Sequence, residues 1–161
     1  MIHPRSILLP LALGIGLFLG CGDPDEDVEV LECSGECECV PEENTCSCLG
    51  GTDCIIGGET TGMTLLCEGN ARCALACGAD CHVVCPGTSG CDATMGPGST
   101  AECDGTGDCD FTCEGDCAVD CPGASSCTVT CPPDASCEIT SCSQVDQCGD
   151  GVLACRTACP G

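Results

Sequence analysis

Residues 67–91 read CEGNARCALACGADCHVVCPGTSGC, and residues 103–127 read CDGTGDCDFTCEGDCAVDCPGASSC. The cysteines of the first stretch are Cys67, Cys73, Cys77, Cys81, Cys85 and Cys91. They recur 36 residues later as Cys103, Cys109, Cys113, Cys117, Cys121 and Cys127, with every gap identical. Six matched positions in order mark an internal repeat, the feature that decides a fold before any single residue does. The unit is smaller than the match. Five-residue segments of the form Cys-x-aliphatic-x-Cys, such as Cys73–Cys77, Cys81–Cys85, Cys117–Cys121 and Cys127–Cys131, set a rhythm of starts at 63, 73, 81, 91, 99, 109, 117 and 127. The steps alternate between 10 and 8, so the period is 18 residues.

Each segment alternates with the period of a strand, which sends positions 1, 3 and 5 to one face and positions 2 and 4 to the other. Turn formers separate the segments, as in Pro86–Gly90 and Glu114–Asp116. The expected fold is all-β: a narrow, disulfide-laddered β-solenoid of 18-residue coils. Each coil has two short strands, a five-residue turn at one edge and a three-residue turn at the other. The turn Pro132–Ser136 is two residues longer than its counterpart at that edge, and Cys148 and Cys155 open a last, less regular coil.

Facing strands set position 5 of one opposite position 1 of the next. This predicts Cys67–Cys73, Cys85–Cys91, Cys103–Cys109 and Cys121–Cys127 across five-residue turns. It predicts Cys77–Cys81, Cys113–Cys117 and Cys131–Cys137 at the other edge, and Cys142–Cys148 and Cys155–Cys159 to complete the domain. At one edge the expected pair is replaced by Met95 and Ser99. Both members are missing together, as bonded partners would be. The interior row is then Leu65, Val83, Ala101, Val119 and Ile139 on one sheet, facing Leu75, Ala93, Phe111 and Val129 on the other. These read as core, since so thin a solenoid encloses no cavity.

Composition agrees with a covalently held chain. Of 161 residues, 25 are Cys and only two are aromatic, both Phe, so apolar burial alone cannot offset the entropy of folding. The net charge of -23, from 26 acids against three Arg, excludes nucleic acid as a partner. Cys33, Cys37, Cys39, Cys46, Cys48 and Cys54 fall outside the period and read as a six-Cys cap over 33–54, ahead of a solenoid over 55–161. Six cysteines allow fifteen connectivities, which spacing does not decide. Cys-x-Cys occurs at Cys37/Cys39 and Cys46/Cys48, a spacing common in thiolate clusters, whereas Cys-x-x-Cys is absent from the sequence.

The N-terminus reads as an export signal over 1–20, with Arg5 ahead of an apolar run from Ile7 to Leu19. The run ends Leu17-Phe18-Leu19-Gly20-Cys21, which resembles a bacterial lipobox, with Phe18 where that motif usually has Leu. The resemblance implies cleavage after Gly20, diacylglycerol on Cys21 and acylation of the new amino terminus. Several acyl chains give stable anchoring where one is marginal. Residues 21–32, with Asp23, Asp25, Glu26 and Asp27, read as an acidic tether. The other 24 cysteines are an even number, and an oxidising compartment makes twelve disulfides the expectation. Lipobox and Cys-x-aliphatic-x-Cys repeats together resemble the cysteine-rich repeat lipoproteins of bacteria. That resemblance implies an envelope address, in the outer membrane, and no known activity. Secretion or the periplasm is the fallback.

Chemistry is sparse. Beyond the signal the chain has one His, His82, at an outward strand position, and no Lys or Tyr. No phosphate loop or nucleophile elbow occurs, and no catalytic residue is assigned. Calcium is the sharper alternative cofactor, through Asp104, Asp108, Asp110 and Asp116 in acidic Gly-rich turns. An 18-residue coil is also that of the calcium β-roll proteins, but their Gly-Gly-x-Gly-x-Asp nonapeptide is absent. Thr94, Thr112 and Thr130 would stack in a column resembling the ice-binding face of some insect antifreeze solenoids. Those carry Thr-x-Thr in every coil, and here only Thr128–Thr130 does. The reading is a non-enzymatic, monomeric envelope protein, held to the membrane through lipid on Cys21, whose acidic solenoid is a spacer or an interaction surface for a protein or glycan. Metal binding, by calcium or thiolate, is second.

Overall fold

The computed structural model describes residues 32–51, 53–70, 72–87 and 90–159. The export signal, Cys21 and most of the tether lie outside the described residues. Among the described residues fifteen strands follow one another: β1 (Glu32–Ser34), β2 (Cys37–Val40), β3 (Thr45–Cys48), β4 (Cys54–Gly57), β5 (Thr64–Cys67), β6 (Cys73–Cys77), β7 (His82–Val84), β8 (Cys91–Met95), β9 (Ser99–Glu102), β10 (Asp108–Cys113), β11 (Cys117–Asp120), β12 (Ser126–Thr130), β13 (Cys137–Thr140), β14 (Val145–Gly149) and β15 (Val152–Cys155). A 3₁₀ turn at Pro41–Glu43 is the one helical element among the described residues.

Alternate strands fall into two sheets. The eight-stranded sheet runs β1-β4-β6-β8-β10-β12-β15-β14, and the seven-stranded sheet runs β13-β11-β9-β7-β5-β3-β2. From β4 to β12, and from β3 to β13, every neighbouring pair is parallel and in register at the 18-residue period or close to it. This is the solenoid, and its handles are the Cys-x-aliphatic-x-Cys segments. In β6 the pattern buried-exposed-buried-half-buried-buried places Cys73, Leu75 and Cys77 inside. The centre is a ladder of aligned apolar residues: Leu65, Val83, Ala101, Val119 and Ile139 on one sheet, and Leu75, Ala93, Phe111 and Val129 on the other. Ile56 and Cys46 extend the two rows one coil further. Each fully buried large residue contributes about 1.5–3 kcal/mol, and Phe111 is the largest of them.

The turns also stack, backbone on backbone. At the five-residue edge a Cβ on Gly105 would overlap the Gly87 carbonyl oxygen, and one on Gly87 would overlap that of Gly69. No side chain fits there, so this column is glycine for lack of space. At the three-residue edge, Gly62 donates to Ala79 at 2.9 Å, Asp80 to Pro97 at 2.9 Å and Gly98 to Asp116 at 2.8 Å, which ties each turn to the next coil.

The ends differ from the sequence reading. Solenoid pairing begins at Thr45, inside the segment 33–54, because β3 lies parallel to β5 and β4 parallel to β6. Antiparallel strands close this end, β1 on β4 and β2 on β3. At the other end the expected last coil is instead an antiparallel hairpin, β14–β15, laid on β12. Its turn has φ of 88° at Gly149, 50° at Asp150 and 76° at Gly151, left-handed values suited to a tight hairpin. The reversal changes two disulfides. Expected Cys142–Cys148 and Cys155–Cys159 are replaced by Cys142–Cys155 and Cys148–Cys159. Once the chain doubles back, Cys155 lies beside Cys127 at the end of the inner column, and facing-strand order no longer applies.

Candidate functional site

Sulfur dominates the interior. Bonds across the five-residue turns form a column of five: Cys48–Cys54, Cys67–Cys73, Cys85–Cys91, Cys103–Cys109 and Cys121–Cys127. The opposite edge holds Cys77–Cys81, Cys113–Cys117 and Cys131–Cys137. Cys33–Cys37 and Cys39–Cys46 tie the N-terminal strands, so twelve bonds use the 24 cysteines beyond Cys21.

Met95 and Ser99 fill the one gap in the second column. Met95 aligns with Cys77 and Cys113, Ser99 with Cys117, and both are buried. The Ser99 hydroxyl accepts from the Cys81 backbone N–H at 3.1 Å and donates to the Gly78 carbonyl at 3.4 Å. A buried hydroxyl with both roles filled carries little desolvation penalty.

Among the described residues, one group of three metal-capable side chains converges. The Sγ atoms of Cys113, Cys117 and Cys137 all lie within 4.8 Å of one another. All three belong to disulfides, and thiolates, not disulfide sulfurs, are the ligands of soft metals.

The aspartates considered for calcium are dispersed. Asp108 and Asp110 lie on the outer face of β10, with Asp104 in the turn before it and Asp116 in the turn after it. The strand between them spans about 16 Å. Asp108 accepts from the Ser126 hydroxyl at 2.6 Å, and Asp116 accepts from the Ser136 backbone N–H at 2.7 Å. Asp110 stands in register with Asp92, whose carboxylate takes two bonds from Arg72, at 3.1 and 3.3 Å. That hydrogen bond, with the charge of Asp92 behind it, holds the Arg72 guanidinium above its usual range. Asp108 and Asp116 thus bond to the next coil, and among the described residues the four carboxylates do not converge on one point.

His82 is exposed, with Nδ1 2.8 Å from the Thr100 hydroxyl of the next coil. Thr94, Thr112 and Thr130 do stack in register and are exposed. The neighbouring column on that face is Asp92, Asp110 and Thr128, so charge runs beside the hydroxyls.

The feature that spacing did not reveal is a cleft of about 310 Å³ at the C-terminal end. Its walls include Pro132 and Pro133 of the turn after β12, Val152 and Leu153 of β15, and the disulfide partners Cys131 and Cys137. The signal was the lengthened turn Pro132–Ser136, which moves the chain off the column just where the hairpin folds back. No helix among the described residues is long and apolar enough to cross a membrane. Compared with protein families, curated proteins and solved structures, the chain matches none of them.

Proposed function

We propose that the protein is a non-enzymatic, lipid-anchored component of the cell envelope whose solenoid is a rigid acidic spacer presenting an interaction surface to a protein or glycan. The observation that carries this reading is the stapling itself. Nearly every coil is closed by a disulfide at one or both turns, and carboxylates such as Asp92, Asp110, Glu102 and Asp120 line the outer faces. Such bonds persist in oxidising compartments, which favours an extracellular or envelope address. Eight strands at about 4.8 Å spacing set the outermost two about 34 Å apart, enough to hold a surface clear of lipid headgroups when tethered through Cys21.

The test is expression of the full chain with radiolabelled fatty acid, beside Cys21→Ser. Acyl label and membrane retention in the first, both lost in the second, are the expected result. Unlabelled, freely secreted protein would remove the anchor. Small-angle scattering of the mature protein should fit a rigid rod, unchanged by chelators, and a flexible profile would remove the spacer. Elemental analysis of the same sample decides the metal reading.

A further inference from the structure

We propose that Cys131–Cys137 and Cys113–Cys117 form a two-step thiol-exchange site, entered from the C-terminal cleft and selective for small neutral or cationic thiols. Three observations carry this, none of which depends on the spacer reading. First, the Cys131–Cys137 bond lines the cleft, whereas Cys113–Cys117 is buried in the coil behind it. Second, the Cys137 Sγ lies within 4.8 Å of both Cys113 and Cys117 Sγ. Cys117 and Cys137 are also register partners in parallel strands, β11 and β13. Parallel neighbours lie about 4.8 Å apart, inside the Cα range of ordinary disulfides, so a Cys117–Cys137 bond forms without moving the strands. Third, the next positions along this edge are Met95 and Ser99. Exchange that reaches Cys113–Cys117 has nowhere further to go.

The steps balance. A thiol gives its proton to solvent, and its thiolate attacks Cys131 Sγ. The Cys131–Cys137 bond breaks, and its electron pair leaves on Cys137. The Cys137 thiolate attacks Cys117 Sγ, the Cys113–Cys117 bond breaks, and the Cys113 thiolate takes a proton from solvent. One thiol enters and one emerges, and two disulfide bonds stand before and after. The external thiol is held on Cys131, and the new thiol is buried at Cys113.

Charge sets the selectivity. Asp134 sits between Pro133 and Ala135, and Asp150 between Gly149 and Gly151, all four neighbours lining the cleft. Glu138 follows Cys137 directly. An anionic thiol meets repulsion at this rim and a cationic one attraction.

The experiment treats oxidised full-length protein with limiting cysteamine, quenches with acid, labels thiols with N-ethylmaleimide and maps peptides without reduction. The expected result is cysteamine on Cys131, maleimide on Cys113 and a Cys117–Cys137 cross-link. Maleimide on Cys137 with Cys113–Cys117 intact would overturn the relay. Absence of cysteamine from Cys131 while the exposed Cys148–Cys159 bond has reacted would overturn the site. Cys131→Ser tests the second step alone: maleimide on Cys113 together with a Cys117–Cys137 cross-link is the expected result, and maleimide on Cys137 with Cys113–Cys117 intact defeats it. If that variant fails to fold, the wild-type map still decides. Cysteamine should outpace thioglycolate by about fivefold at low salt, each normalised to its rate on a small disulfide, and the ratio should shrink in high salt. Equal rates would remove the selectivity.

Discussion

At the five-residue edge of the solenoid, five disulfides from Cys48–Cys54 to Cys121–Cys127 stand in an unbroken column. At the opposite edge the column runs Cys77–Cys81, then Met95 and Ser99, then Cys113–Cys117. The coil geometry is the same on both sides of the gap, with β8 in register with β6 and β10. A covalent rung can therefore be exchanged for a packed one, provided the replacement fills the volume and satisfies its polar atoms. Met95 does the first, and the Ser99 hydroxyl, bonded to Cys81 and Gly78, does the second. The turns leave no such latitude at either edge: a Cβ on Gly87 or Gly105 would run into the neighbouring turn at the five-residue edge, and one on Gly78 or Gly96 would do so at the other.

The comparison is broken most severely at Gly105. Gly105→Ala drives a methyl into the Gly87 carbonyl and should cost about 4 kcal/mol or more, beyond the range of ordinary substitutions. Circular dichroism melts should show loss of cooperative unfolding, and a normal melt would mean the turns separate freely. Removing one rung of the unbroken column, with Cys103→Ala and Cys109→Ala together, should cost about 3 kcal/mol from lost cross-linking and vacated volume. Chemical denaturation reads that directly. The opposite edge can be mended. Met95→Cys with Ser99→Cys recreates the four-residue spacing of Cys77–Cys81 and should gain about 2 kcal/mol on oxidation, visible as a denaturation midpoint above that of the wild type when both are fully oxidised. No gain would show that packing already matches the bond. Ser99→Ala is the mildest test: it strands the Cys81 N–H and should cost about 1 kcal/mol, whereas Ser99→Thr, by keeping the hydroxyl, should recover part of it.

The solenoid was legible where coils repeat identically. Strict spacing from Cys67 to Cys131 determined strand faces, interior rows and six edge pairings, with Cys131–Cys137 following across the lengthened turn, because a two-residue alternation permits one inward set. The ends were not legible in the same way. Cys48 and Cys54 stand nineteen residues before Cys67 and Cys73, one more than the period. That single extra residue, taken up between β4 and β5, hid the first coil from a search for exact spacing. At the other end, Asp150-Gly151 was the hairpin signal. It outweighs the periodic cue, since two left-handed residues reverse a chain where a coil must carry it forward. The candidate site divides likewise. The sulfurs and the outward place of His82 follow from alternation, but the convergence of Cys137 on Cys113 and Cys117, and the cleft before them, depend on how the last coil meets the hairpin.

Ten of the twelve disulfides join cysteines four to seven residues apart. This brevity bears on biogenesis. A polypeptide emerging N-terminus first can close each covalent ring as soon as a handful of residues has cleared the channel, long before the partner coil exists. Oxidation then keeps pace with emergence, wrong pairings have little time to compete, and each finished coil offers a template edge to the next. Only Cys142–Cys155 and Cys148–Cys159, which span 13 and 11 residues, wait for the closing hairpin. Rings this short allow the molecule to be closed as a zipper is drawn, with its fastening at the end.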